Sequence, residues 1–333
     1  MKKKQMFDSF SRRHNYLRVS LTERCNLRCV YCMPEQGIDL TPNENLLSRT
    51  ELSRLVRLFA ALGVTKVRLT GGEPLVYKEI VSVCQDIRSI PQITQLGITT
   101  NGILLPRKIV ELKAAGVTSL NISLDTLDES KFMLIARRNG LGKVIDSIAM
   151  AESLGYSPVK VNCVVMKNVN DDELVEFAKL TRNRPLEMRF IEYMPFDDNA
   201  WSRTKMISFM EMVDIIEKGL ATKLVPAEER SETAKLFRVP GYRGTVGFIT
   251  SMTTNFCATC NRLRLTADGN LKVCLFGAEE VSLRDAMRSG ADDNKLEEII
   301  RSALNGKHFS HGGKSSPEEL AATQNRPMIK IGG

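Results

Sequence analysis

Short β-branched and apolar runs recur along the first two thirds of the chain, and a segment with helical spacing follows each of them. The runs cover residues 16–21, 64–69, 93–99, 117–124, 159–165 and 186–194, and their length and composition predict strands. Between the first two, Leu52, Leu55, Val56 and Phe59 recur at i, i+3, i+4 and i+7, with Glu51 near the start and Gly63 past the end. That spacing predicts an amphipathic helix over 50–62. Similar patterns predict helices over 79–87, 109–115, 144–154, 173–180 and 210–217. Successive β-α units joined by short loops imply a parallel sheet, which right-handed crossovers curl into a barrel or a partial barrel. An open doubly wound sheet shows the same local pattern. In a barrel, ligands sit at the C-terminal ends of the strands.

Beyond about Lys218 the pattern changes to a charged, loop-rich passage through 228–232, followed by strands around 237–239 and 246–249. The expected organisation is an N-terminal extension over 1–14, a partial barrel over 15–220 and a C-terminal region over 221–333. Hydrophobic residues make up 43% of the 333 positions and charged residues 26%, which is ordinary globular usage and leaves ample material for a core. No apolar run approaches the roughly 18 residues of a membrane span. The start of the chain, Met1-Lys2-Lys3-Lys4, leads into no apolar segment of a secretory signal. An intracellular, reducing location is expected, without membrane contact. The formal net charge of +8 favours anionic partners.

Cysteine changes the picture most. Six of the eight cysteines fall into two tight triplets, which favours metal ligation over disulfides. With three histidines in the chain, His14, His308 and His311, a histidine-based triad or facial metal site has little to draw on. The first triplet, Cys25-x3-Cys29-x2-Cys32, lies in the loop after the first predicted strand. Three thiolates on a cubane 4Fe-4S cluster leave one iron open, and an open position is what a catalytic metal site requires. Zinc completed by a remote fourth ligand, or a redox pair, is the competing reading. After the second strand comes Thr70-Gly71-Gly72-Glu73-Pro74, where glycine permits close approach of backbone to a ligand. The second triplet, Cys257-x2-Cys260-x13-Cys274, again suggests a cluster with one open iron, with structural zinc as the rival.

The spacing C-x3-C followed by an aromatic residue and C, together with Gly71-Gly72-Glu73-Pro74, resembles the radical S-adenosylmethionine (SAM) superfamily. The stretch Cys257 to Arg264, then Asp268-Gly269 and Cys274, is similar to the second motif of molybdenum-cofactor GTP 3′,8-cyclases, and its wording looks closer to the eukaryotic branch. Matching stretches include 99–102, 121–125, 159–162, 189–195 and the terminal Gly332-Gly333. The resemblance implies an incomplete TIM-type (β/α)6 barrel, closed by a C-terminal region that carries a second 4Fe-4S cluster. It implies SAM as cofactor and conversion of GTP to 3′,8-cyclo-7,8-dihydro-GTP. The clusters would be held by Cys25, Cys29 and Cys32, and by Cys257, Cys260 and Cys274. Tyr31, Gly72, Ser123, Met194, Asn162 and Arg189 match cofactor-contacting positions. Arg18, Arg68, Thr99, Lys160, Arg262, Leu263 and Arg264 match positions that hold GTP. Arg18, Arg262, Arg264, Gly332 and Gly333 are the groups expected at the reaction itself. In an extended segment Arg262 and Arg264 point the same way.

The family further implies an electron donor, a homodimer, a downstream cyclic pyranopterin monophosphate synthase, and the mitochondrial matrix in a eukaryote or the cytoplasm otherwise. Two other readings compete: a peptide-modifying radical SAM enzyme with an auxiliary cluster, and a zinc-stabilised nucleic-acid-binding protein. No aromatic-rich RNA platform supports the second, and nucleic acid is not an expected partner. Cys84 and Cys163 read as buried apolar residues, His308 and His311 as a surface pair, and Trp201 as packing.

Overall fold

The computed structural model describes residues 5–227 and 233–332; Gly333, expected at the reaction, lies outside them. The six anticipated strands form as β1 (Tyr16–Ser20), β2 (Lys66–Thr70), β3 (Gln95–Thr100), β4 (Ser119–Ser123), β5 (Val159–Val165) and β6 (Leu186–Glu192). They lie in chain order and pair in parallel throughout. Helices on the outside connect them: α1 (Arg49–Ala61), α2 (Ile80–Arg88), α3 (Ile109–Ala114), α4 (Glu129–Ala136), α5 (Leu141–Ser153) and α6 (Leu174–Lys179), with α7 (Phe209–Leu220) after β6. At the start of α1, Ser48 accepts from Glu51 N–H while the Glu51 carboxylate takes the Ser48 N–H. Reciprocal capping of this kind satisfies two otherwise unpaired donors.

Helix α4 was not anticipated. Its apolar residues run consecutively from Phe132 to Ala136 and so carry no helical period. In the fold Phe132, Ile135 and Ala136 are buried, while Met133 and Leu134 stand 41% and 73% exposed.

The chain after residue 220 extends the same sheet. It contributes β7 (Val225–Pro226), β8 (Lys235–Arg238), β9 (Thr245–Ile249), β10 (Arg262–Leu265), β11 (Asn270–Lys272) and β12 (Val281–Ser282). Strand β9 joins β6 in parallel and β10 joins β1 in parallel, so the six-stranded arc gains a strand at either end. The chain then forms α8 (Leu283–Arg288), α9 (Asp293–Asn305), α10 (Pro317–Ala321) and α11 (Met328–Ile331).

Alternation along the strands settles the choice between a curled and an open sheet. On β5, Val159, Val161, Cys163 and Val165 are buried against the helices, whereas Lys160, Asn162 and Val164 face a cavity. The same cavity takes Tyr16 and Arg18 of β1, Lys66 and Arg68 of β2, Thr99 of β3, Asn121 of β4, Arg189 of β6 and Arg262 and Arg264 of β10. One face of so many strands can surround a common space only if the sheet curls. The fold is an incomplete TIM-type barrel, with its apolar core between sheet and helices.

Candidate active site

The strand ends build a first cavity of about 880 Å³. The loop after β1 supplies Cys25, Cys29 and Cys32; β2 supplies Thr70 to Glu73, β3 Thr99 to Asn101, and β4 Ser123 and Asp125. Helix α4 covers it with Phe132, Ile135 and Ala136. Gly71 and Gly72 are required by close approach: a Cβ on either would lie 2.5 or 2.4 Å from the carbonyl oxygens of Thr22 and Arg24. The glycine loop therefore lies directly on the segment that leads into Cys25, and Gly72 N–H donates to Thr22 O at 2.7 Å.

Glu73 ties these ends together. Its carboxylate accepts from Leu75 N–H at 2.9 Å, the Thr100 hydroxyl at 2.7 Å and Asn101 N–H at 2.7 Å. Burial still lifts its pKa to about 7 against those lowering contacts. Asp125, lifted to about 6 by burial, accepts from the Tyr31 hydroxyl at 2.8 Å and Val164 N–H at 2.9 Å. Burial also pushes the Cys25 thiol up to about 12, so an electropositive metal centre, which favours thiolate, is needed to ionise it near neutral pH.

Thr99 and Met328 line this cavity and the barrel lumen alike, so the two spaces meet there. The lumen spans about 960 Å³ and takes Arg18, Lys66, Arg68, Lys160, Arg189, Arg262 and Arg264. No carboxylate lines it among the described residues, although Glu187, on the same strand face as Arg189, pairs with that guanidinium. Such a concentration of positive charge suits an anion. The Thr99 hydroxyl and the Asn162 side-chain carbonyl are buried there without a hydrogen-bond partner among the described residues; such atoms normally have one, so both are available to a ligand.

Arg68 is held rigidly: its Nε donates to the Tyr16 hydroxyl at 2.7 Å, and its terminal nitrogens donate to Asn121 Oδ1 at 2.9 Å and the Ser119 hydroxyl at 3.3 Å. A Cβ at Gly97 would sit 2.9 Å from the guanidinium carbon, so glycine makes room for it. Arg189 pairs with Glu187. Burial, then Arg189, lowers Lys160 to about 8.

At its far end the lumen opens onto the second triplet. Ser251, Phe256, Arg262, Arg264 and Leu275 line both the lumen and a cavity bordered by Cys257, Cys260 and Cys274. Arg262 lies over the Phe256 ring at 4.6 Å. The N-terminal segment reaches this region too: Arg12 donates to Cys257 O at 2.7 Å and Phe309 O at 2.6 Å. Helix α11 plugs the barrel mouth and delivers Gly332, whose carbonyl accepts from Arg264 at 2.9 Å. Gly332 has φ +80°, and a Cβ there would meet Thr70 Oγ1 at 2.3 Å.

Tyr31, Gly72 and Ser123 line the first cavity, whereas Met194, Asn162 and Arg189 line the lumen. The expected GTP-holding residues Arg18, Arg68, Thr99, Lys160, Arg262 and Arg264 share the lumen. Leu263 points the other way, fully buried in the core, and can offer only backbone to a ligand. Sequence reasoning missed Tyr16 and Lys66, although each stands two residues before a predicted arginine and hence on the same strand face. His311, read as a surface residue, is instead buried, with Nε2 2.8 Å from Ser251 O; its ring packs edge-on to Phe276.

A barrel with three cysteines after β1 and a glycine turn after β2 defines a radical SAM protein, and residues 19–181 match the model of the Radical SAM superfamily. Residues 186–313 match Molybdenum Cofactor Synthesis C. The mitochondrial GTP 3′,8-cyclase of Arabidopsis thaliana is 53% identical over 98% of the chain and 83% of the relative. The GTP 3′,8-cyclase of Thermodesulfovibrio yellowstonii is 44% identical over 98% of the chain and the relative's full length. Human molybdenum cofactor biosynthesis protein 1 is 52% identical over 97% of the chain, and the chain spans about half the length of that relative, 50%. The crystal structure of Streptococcus suis SuiB bound to S-adenosylmethionine shares the fold, with a TM-score of 0.59 at 15% identity over 95% of this chain and 77% of that one. The chain belongs to the GTP 3′,8-cyclase family of molybdenum cofactor biosynthesis. Membership brings a 4Fe-4S cluster and SAM.

Proposed function

We infer that the chain cyclises GTP to 3′,8-cyclo-7,8-dihydro-GTP, the first step of molybdenum cofactor biosynthesis. The observation that carries this reading is the continuity of three spaces: a cysteine-bordered cavity, a cationic lumen and a second cysteine-bordered cavity, meeting at Thr99 and Met328 on one side and at Arg262 and Arg264 on the other.

When bound, the first cluster and SAM would supply the radical chemistry that activates GTP. Cys25, Cys29 and Cys32 hold that cluster, the Gly71-Gly72 backbone and Ser123 border the cofactor, and α4 shields both from water. Arg18, Arg68, Lys160, Arg262 and Arg264 hold the triphosphate and base, with Lys66 and Arg189 beside them. The unpartnered Thr99 hydroxyl sits where cofactor and substrate spaces join, suited to fix their relative position.

Cys257, Cys260 and Cys274 would hold a second 4Fe-4S cluster, and three thiolates would leave one iron open to a ligand. No described helix is long and apolar enough to cross a membrane. An external electron donor, a homodimer, a downstream pyranopterin synthase and the mitochondrial matrix complete the proposal, the last from the plant relative's name.

The test is anaerobic purification, iron and sulfide analysis, then incubation with dithionite, SAM and GTP. About eight irons per chain and 5′-deoxyadenosine formed with cyclised GTP are expected. Clusters that cleave SAM without GTP turnover would overturn the substrate, and zinc without iron would overturn the mechanism.

A further inference from the structure

We propose that Lys307 is a positioning residue of the second cysteine triplet: its ammonium group holds the Cys260 thiolate and raises the reduction potential of the cluster bound there. The proposal rests on the cluster reading given above.

Lys307 follows α9 and is only 4% exposed. Its Nζ has three acceptors: Val273 O at 2.6 Å, Arg262 O at 3.3 Å and Cys260 Sγ at 3.4 Å. A lysine ammonium has three donors, so all are used. Two acceptors are neutral carbonyls, and no carboxylate among the described residues forms an ion pair with it. A buried cation without a counter-charge is costly, whereas an aliphatic side chain would fill the same space without that cost. The sulfur of Cys260 is the atom that can supply the missing negative charge.

A second buried cation is placed differently: Arg12 reaches Cys257 through its carbonyl rather than its sulfur. The same lysine also bonds the carbonyls preceding Leu263 and Cys274, so it joins β10 to the loop that carries the third cysteine. Hydrogen bonds to ligand sulfurs and nearby charge are among the levers that set a cluster's potential; a cation favours the reduced, more negative state.

The experiment compares wild type, Lys307→Met and Lys307→Arg by potentiometric titration with EPR detection of each cluster. At a fixed potential the reduced-to-oxidised ratio of the second cluster should fall about tenfold in Lys307→Met, equal to about 59 mV for a one-electron couple. Lys307→Arg should lie between, and the first cluster should not move. If Lys307→Met loses the second cluster while Lys307→Arg keeps it at a potential below wild type, the charge contact is upheld. Retention by either variant at the wild-type potential, loss from both, or an equal shift at both clusters overturns it. Zinc at the wild-type site would overturn the cluster reading instead. The thiolate contact is then read by release of zinc to a chelator, expected at least about tenfold faster in Lys307→Met, and equal release rates overturn it.

Discussion

The two spaces that meet at Thr99 and Met328 have opposite chemistry. The charged side chains of the first cavity are Glu73 and Asp125, and much of its wall is backbone brought near by Gly71 and Gly72. The lumen is lined by seven cations, of which Arg189 is paired with Glu187, and by no carboxylate among the described residues. A cationic sulfonium ligand suits the first and a polyanion the second, so charge alone sorts cofactor from substrate before any shape is matched.

Removing a cysteine should separate the two most sharply. Cys29→Ala is expected to abolish SAM cleavage while GTP affinity, measured by calorimetry, stays within about twofold, as for independent sites. A matching loss of GTP binding would mean that the two spaces are one site. Arg264→Ala acts from the other side. Deleting a buried charged donor costs about 1.5–3 kcal/mol, or roughly 10- to 100-fold in GTP Kd, with iron content and SAM affinity retained. Equal weakening of SAM would break the comparison.

Gly332→Ala probes the join itself. Its φ of +80° and the contact with Thr70 make alanine strained by about 1–3 kcal/mol. Because the residue touches Thr70 of the first cavity and Arg264 of the lumen, turnover should fall through both ligands. An effect on GTP alone would place the tail wholly on the substrate side.

The smallest effect is a pH dependence confined to the lumen. Burial and Arg189 lower Lys160 to about 8, while burial raises Tyr16 but Arg68, Arg18 and Lys66 bring it down to about 7. Between pH 7 and about 9, deprotonation of Lys160 removes positive charge and deprotonation of Tyr16 adds negative charge. Both weaken anion binding, so GTP affinity should decline several-fold as pH rises, with proton uptake on binding. Tyr16→Phe should flatten the lower part of that curve, and a curve identical to wild type would remove Tyr16 from the account.

Strand order, the cysteine triplets and most of the cation set were legible in the chain. Parallel β-α units announce themselves by period, and ligand spacing within one loop is a local property. The shared direction of Arg262 and Arg264 followed from the two-residue period of a strand, whereas Leu263, matched to a GTP-holding position, turns into the core. What escaped was cooperative. Tyr16 matters because Arg68 of the next strand bonds it, and Gly97 matters because that guanidinium lies where its side chain would be. Helix α4 has no amphipathic period, since it forms over a ready-made cavity rather than by propensity alone.

The sequence by itself thus indicated the class of chemistry: two cysteine triplets spaced as cluster ligands, strands that alternate, and a positive charge suited to an anion. Only the tertiary structure decided that β9 and β10 flank the six-stranded arc, that α11 returns Gly332 to Arg264 some 68 residues away in sequence, and that Lys307 meets Cys260. These contacts join segments far apart along the chain, and their energies come from burial and electrostatic pairing in a shared interior, which no local pattern records.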